Sequence, residues 1–191
     1  VKKIPTLFVR DPDNMSRVID EVNPAAAWLL DGEAAATRKY DGTCMLLDED
    51  GKWWARREVK PGKRRPTGFR AEETDPNTGK TVGWEPVEQS SFVKFWEEAL
   101  GNPYERRHIG TYELIGPKIN GNPEGVKGHV LWWHNDAELL PGVPLTFDGL
   151  REYLRDFSGE GIVWHEGVRS GADVMREGAR MVKIKRRDFG F

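Results

Sequence analysis

Six short runs with the apolar density or alternation of β-strands constrain this chain most, at residues 44–48, 52–59, 110–115, 130–134, 161–165 and 181–185. Only two segments carry helical spacing. The first begins at Ser90 or Ser91, places Phe92, Phe95, Trp96, Ala99 and Leu100 on one face, and meets a stop at Gly101. The second spaces Leu150, Tyr153, Leu154 and Phe157 in the same way. Both aromatic stripes predict core packing. Strands and helices do not alternate as βαβ units, which predicts an α+β domain on antiparallel sheets. Between residues 60 and 87, Pro61, Pro66, Pro76, Pro86 and several glycines interrupt any periodicity. That composition predicts a long loop, read either as a lid or contact flap or as an ordered surface excursion.

With 191 residues, 38% of them hydrophobic, the chain can bury one substantial core, so a single domain over residues 1–191 is expected. No apolar run approaches a membrane span, and the start Val1-Lys2-Lys3-Ile4-Pro5 has no secretory core, which predicts a cytoplasmic protein; a monomer is the expected state. Cys44 is the only cysteine, which excludes an intrachain disulfide and a cysteine zinc site; it is expected in the core. His108, His129, His134 and His165 show no metal-ligand spacing.

The net charge of −2 hides a segregated distribution. Lys52, Arg56, Arg57, Lys60, Lys63, Arg64, Arg65 and Arg70 face Glu58 alone within their segment, and Arg180, Lys183, Lys185, Arg186 and Arg187 form a second basic stretch without an acid. Localised cation on an otherwise acidic chain predicts a phosphate-binding surface, with a solvated loop and a charged tail as the alternative.

Lys39-Tyr40-Asp41-Gly42 is a Lys-x-Asp-Gly element. Asp-Gly pairs are also hairpin-turn residues, so the element carries weight only through its companions. These follow in order: Trp53-Trp54-Ala55-Arg56-Arg57, Thr111-Tyr112-Glu113-Leu114-Ile115-Gly116, Glu160-Gly161-Ile162-Val163-Trp164 and Met181-Val182-Lys183-Ile184-Lys185. In the last, period-two alternation puts both lysines on one strand face and Val182 with Ile184 on the other.

The series resembles motifs I, Ia, III, IV and V of covalent nucleotidyltransferases. Further segments narrow the resemblance: Lys2-Lys3-Ile4-Pro5-Thr6-Leu7-Phe8, Asp75-Pro76-Asn77-Thr78-Gly79, Gly116-Pro117-Lys118-Ile119-Asn120-Gly121-Asn122-Pro123 and the closing Lys183 to Phe191 look like the cellular 5′-3′ RNA ligase 1 family. Such a likeness implies two twisted antiparallel sheets with flanking helices and a nucleotide cleft. With six residues after Lys185, it also implies a minimal domain without an OB-fold. Thr43-Cys44 stand where DNA ligases usually carry an arginine, which favours the RNA ligase branch.

The resemblance assigns roles residue by residue. Lys39 would be the nucleophile that carries AMP from ATP, with Lys183 and Lys185 on the α-phosphate and Glu160 as ligand of Mg²⁺ or Mn²⁺. A lysine attacks phosphorus only as the neutral amine, so burial or neighbouring positive charge must favour that form. Asp41 would orient Lys39 or a metal-bound water, and Glu113 would bind the ribose hydroxyls. Arg56 would hold ribose or a terminal phosphate, with Arg57 a one-residue alternative. Trp132 and Trp133 point to opposite faces, so only one can stack on the purine; Trp133 is preferred. The expected activity is ATP-dependent joining of RNA 5′-phosphate and 3′-hydroxyl ends through lysyl-AMP and RNA-adenylate. A GTP-dependent capping-type enzyme and a catalytically silent RNA-binding module are the alternatives.

Overall fold

The computed structural model describes residues 2–101, 107–167 and 179–191. These residues form two compact units, a discontinuous one from Ile4–Tyr40 and Asn135–Phe191 and a central one built mainly from Asp41–His134. Among the described residues every pairing between two named strands is antiparallel, and a parallel bridge from Thr6 to Lys183 adds to the edge of one sheet; helices accompany the sheets without βαβ alternation, in keeping with the α+β reading.

The discontinuous unit contains the hairpin β1 (Phe8–Arg10) and β2 (Val18–Val22), helix α1 (Trp28–Asp31), and strand β3 (Ala34–Lys39). Helix α3 (Phe147–Arg155), strands β10 (Gly161–Glu166) and β11 (Met181–Lys185), and helix α4 (Arg186–Phe189) complete it. Its three-stranded sheet runs β11-β10-β3. Strand β10 is central and buried from Gly161 to His165, as expected for a near-continuous apolar run. The Ala-rich β3 has helical propensity by composition. Pairing with β10 from Ala34↔Glu166 to Lys39↔Gly161 overrides it.

Leu150 and Leu154 of α3, Ile162, Trp164, Val182 and Ile184 form one core with Leu7, Phe8 and Leu29. Each large side chain buried there stabilises the fold by about 2 kcal/mol relative to exposure. Thr146 caps α3, its hydroxyl accepting the Gly149 N–H at 3.3 Å. At the other end, Arg186 donates to the carbonyls of Leu154 and Arg155, each at 3.0 Å. One arginine of the second basic stretch is thus committed to closing a helix.

The central unit holds strands β4 (Thr43–Leu47), β5 (Trp53–Val59), β6 (Arg70–Thr74) and β7 (Thr81–Pro86), helix α2 (Val93–Leu100), and strands β8 (Gly110–Ile115) and β9 (Val130–Trp133). Its six-stranded sheet runs β6-β7-β5-β4-β8-β9. Register places Met45, Ala55, Tyr112, Leu114, Leu131 and Trp133 on one face. There Phe95, Trp96, Ala99 and Leu100 of α2 cover them, as the helical stripe predicts.

Residues 60–87 depart from the expected loop. Their second half is the hairpin β6–β7, joined by a turn in which Asp75 Oδ1 accepts the N–H groups of Asn77 and Thr78. Strand β7 is buried from Thr81 to Glu85 on both faces, and its Gly83 and Glu85 erase the alternation that marks a strand in sequence. Its neighbour β6 is an exposed edge strand, rich in charge. Among the described residues no helix is long and apolar enough to cross a membrane.

Candidate functional site

In the discontinuous unit, Gly161 pairs with Lys185 on one side and with Lys39 on the other. Directly paired residues share a sheet face, so both lysines flank Gly161. A Cβ at Gly161 would lie 2.1 Å from the Ile184 carbonyl oxygen, so only glycine permits this close approach. Glu160, one residue earlier, reaches both ammonium groups: Oε2 takes Lys39 Nζ at 2.5 Å, and Oε1 takes Lys185 Nζ. Lys39 Nζ also donates to the Tyr40 carbonyl at 3.4 Å.

Lys183 lies one rung further along the same face, paired through Val163 with Thr37, while Val182 and Ile184 are fully buried on the other. The alternation expected for this strand is therefore present. Burial pushes the Glu160 carboxyl upward, but Lys39 and Lys185 outweigh it and hold the group below its ordinary value. Burial also lowers Lys185, and the like charge of Lys39 adds to this against the attraction of Glu160. The cluster thus holds two cations around one carboxylate.

Asp188, absent from the expected set, supports that cluster. Fully buried, it accepts the backbone N–H of Lys185 on Oδ2 at 2.9 Å and Arg10 Nη1 on Oδ1 at 2.7 Å. Lys185-x-x-Asp188 has the spacing of a helix-capping carboxylate without the usual Ser or Thr at its start, the one signal that could have found it.

The central unit organises Asp41 and Gly42. Asn120 Nδ2 donates to Asp41 Oδ1 at 2.8 Å and to the Gly42 carbonyl at 3.1 Å. Asp41 N–H donates to Glu124, and Gly42 N–H to Glu113 Oε1 at 3.1 Å. A Cβ at Gly42 would stand 2.3 Å from the Leu114 carbonyl oxygen, so the Asp-Gly pair answers to close packing against β8. Glu113 is buried to 9% exposure, and its Oε2 meets His134 Nε2 at 3.1 Å.

Register resolves two alternatives about placement. Glu113 is paired with Cys44 and Trp132, and continuation through β4 and β5 puts Arg56 on the same face. Arg57 lies on the opposite face, where its charge acts on the buried Glu85. Trp133 packs against the apolar cluster and stacks on His108 at 4.4 Å between ring centroids. Trp132, not the preferred Trp133, shares the Glu113 face. Cys44, expected in the core, is only half-buried and lies on this face instead, because its neighbour Met45 takes the core position.

No family model matches this chain. Among curated proteins, mouse RNA ligase 1 is 27% identical over 207 aligned positions, covering 70% of this chain and 63% of the relative. The rat protein matches to the same extent, and zebrafish RNA ligase 1 is 24% identical over 247 positions, covering 86% and 76%. The chain is a distant relative of the RNA ligase 1 proteins. It spans 63% of the length of the mouse and rat RNA ligase 1 chains.

Against this RNA ligase 1 background, the basic stretches divide. Lys60, Lys63, Arg64 and Arg65 are exposed. Arg70 instead lies over the Trp54 ring at 3.8 Å and contacts Asp48 Oδ2 at 3.3 Å, which commits it to the sheet. Among the described residues no group of three or more histidine, cysteine or acidic side chains is arranged to hold a metal ion.

Proposed function

We propose that this chain is the nucleotidyl-transfer part of an ATP-dependent RNA ligase with a nucleotidyltransferase fold. The observation that supports this most is the pair of ammonium groups, Lys39 and Lys185, gathered on the single carboxylate of Glu160 with Lys183 one rung away. Ammonium groups gathered on one half-buried sheet face suit a phosphate, whose oxygens accept from several donors at once.

In this reading Lys39 Nζ, as the neutral amine, forms a bond to the α-phosphorus of ATP while the bond to the bridging oxygen breaks and pyrophosphate departs. Glu160 Oε2 is within hydrogen-bond reach of the proton that Nζ must lose. Lys183 and Lys185 stabilise charge on the phosphate oxygens. AMP then passes from Lys39 to an RNA 5′-phosphate, and a 3′-hydroxyl displaces it to seal the strand. Each transfer is a displacement at phosphorus, so one set of cations serves all three.

Glu113 would hold the ribose hydroxyls, Arg56 the ribose or a terminal phosphate, and Trp132 the purine, since it shares the face of Glu113. Asp41, fixed by Asn120, would orient the reacting groups. A single carboxylate fits Mg²⁺ or Mn²⁺ when phosphate and water oxygens supply the other ligands. Glu160 would hold that cation, which would neutralise phosphate charge.

Incubation with α-labelled ATP and a divalent cation, followed by denaturing electrophoresis, tests the reading. A labelled band with ATP, absent in Lys39→Ala and in Lys39→Arg, is expected, because a guanidinium stays protonated. Label from GTP alone would mark a capping-type enzyme, and no label from either nucleotide a binding module.

A further inference from the structure

His134 directly follows β9 and lies between two side chains of β8. Its Nδ1 is 2.8 Å from Thr111 Oγ1, and its Nε2 is 3.1 Å from Glu113 Oε2. An ionised carboxylate only accepts, so the proton belongs on Nε2. In the neutral ring Nδ1 then accepts the Thr111 hydroxyl, which fixes the tautomer. The second Glu113 oxygen accepts the Gly42 N–H. Both oxygens are therefore oriented by the protein, and each retains lone pairs for another donor.

We propose that His134 is a positioning residue for Glu113, holding its carboxylate in the orientation that distinguishes a ribonucleotide from a deoxyribonucleotide. This rests on the reading of Glu113 as the ribose-binding group. A Glu side chain has three rotatable bonds, and a hydroxyl-reading site loses selectivity when its acceptor swings away. The Gly42 N–H restrains one oxygen but leaves rotation about that contact. His134, itself braced by Thr111, removes that freedom. The surface around it is half-buried, with side-chain exposures of 25% for His134 and 11% for Glu113, so water competes only in part.

The test compares rates of adduct formation from ATP and 2′-deoxy-ATP in the full chain. Wild type is expected to favour ATP. His134→Phe keeps an aromatic ring without a donor, and His134→Asn reaches toward Thr111 but not Glu113. Both should shrink the ATP preference roughly tenfold, with a larger loss for ATP than for the deoxynucleotide. His134→Gln, which carries a donor near the Nε2 position, should restore most of the preference, and Thr111→Val should erode it less. An unchanged ratio in the Phe and Asn variants, or equal losses with both nucleotides, overturns the role of His134 while leaving the ligase reading intact. Wild type without ATP preference also overturns it. Wild type without any adduct overturns the ligase reading, and the role of His134 with it.

Discussion

Asp188 accepts the backbone N–H of Lys185 at 2.9 Å from a fully buried position, so the strand that carries the lysine is pinned at its last residue. The same carboxylate takes Arg10 across 178 positions of sequence. Asp188→Ala would leave a half-buried guanidinium and a backbone N–H without this acceptor. Chemical denaturation should show a loss of about 3 kcal/mol. Asp188→Asn keeps an acceptor for one donor and should lose less.

Glu160→Gln removes the charge that Lys39 and Lys185 share while preserving shape. Under the proposed mechanism, adduct formation should fall by about a hundredfold or more, and sealing of pre-adenylylated RNA should fall with it, because the same cations act in both. Measuring the two steps separately checks this. A change confined to RNA affinity would place Glu160 outside the chemistry.

The charge cluster also predicts a pH dependence of stability. Glu160 titrates below its ordinary 4.5 in the folded protein, so on acidification the unfolded chain binds the proton first. Its stabilising contribution is complete above 4.5 and is lost as pH falls through the lower folded value. Denaturation midpoints followed from neutral pH into acid should drop, and Glu160→Gln should flatten that limb. At the alkaline end Lys185, lowered from 10.5, acts with the same sign: its contribution rises with pH between its folded value and 10.5.

Lys63, Arg64 and Arg65 are exposed in the segment before β6. If they contact RNA, neutralising all three should weaken binding and reduce its salt dependence by about one unit of slope for each phosphate left without its cation. Formation of lysyl-AMP should persist. Filter binding across a salt series beside the adduct assay separates these effects. Normal sealing by the triple variant at moderate salt would make the segment a solvated loop.

Local pattern made much of this protein legible. Strands β4, β5, β8, β9, β10 and β11 coincide with the apolar or alternating runs within one or two residues, and α2 and α3 with the helical stripes. Strands β1, β2, β3, β6 and β7 lie outside those runs, β3 and β7 for different reasons. The composition of β3 is that of a helix, and β7 is buried on both faces with Gly83 and Glu85 in its middle. In each, partners distant in sequence supply what propensity lacks.

Alternation alone determined that Lys183 and Lys185 share a face, and that Trp132 and Trp133 cannot, because side-chain direction in a strand repeats every two residues whatever surrounds it. Which face each residue joins was decided only by the tertiary structure. The pairing of Glu113 with Trp132 in β9, of Gly161 with both Lys39 and Lys185, and of Asp188 with Arg10 depends on strand register and burial between segments far apart in the chain. A one-residue slip would exchange the two tryptophans. Nothing in a local window encodes that register, because it is set by the combined burial of two whole strands.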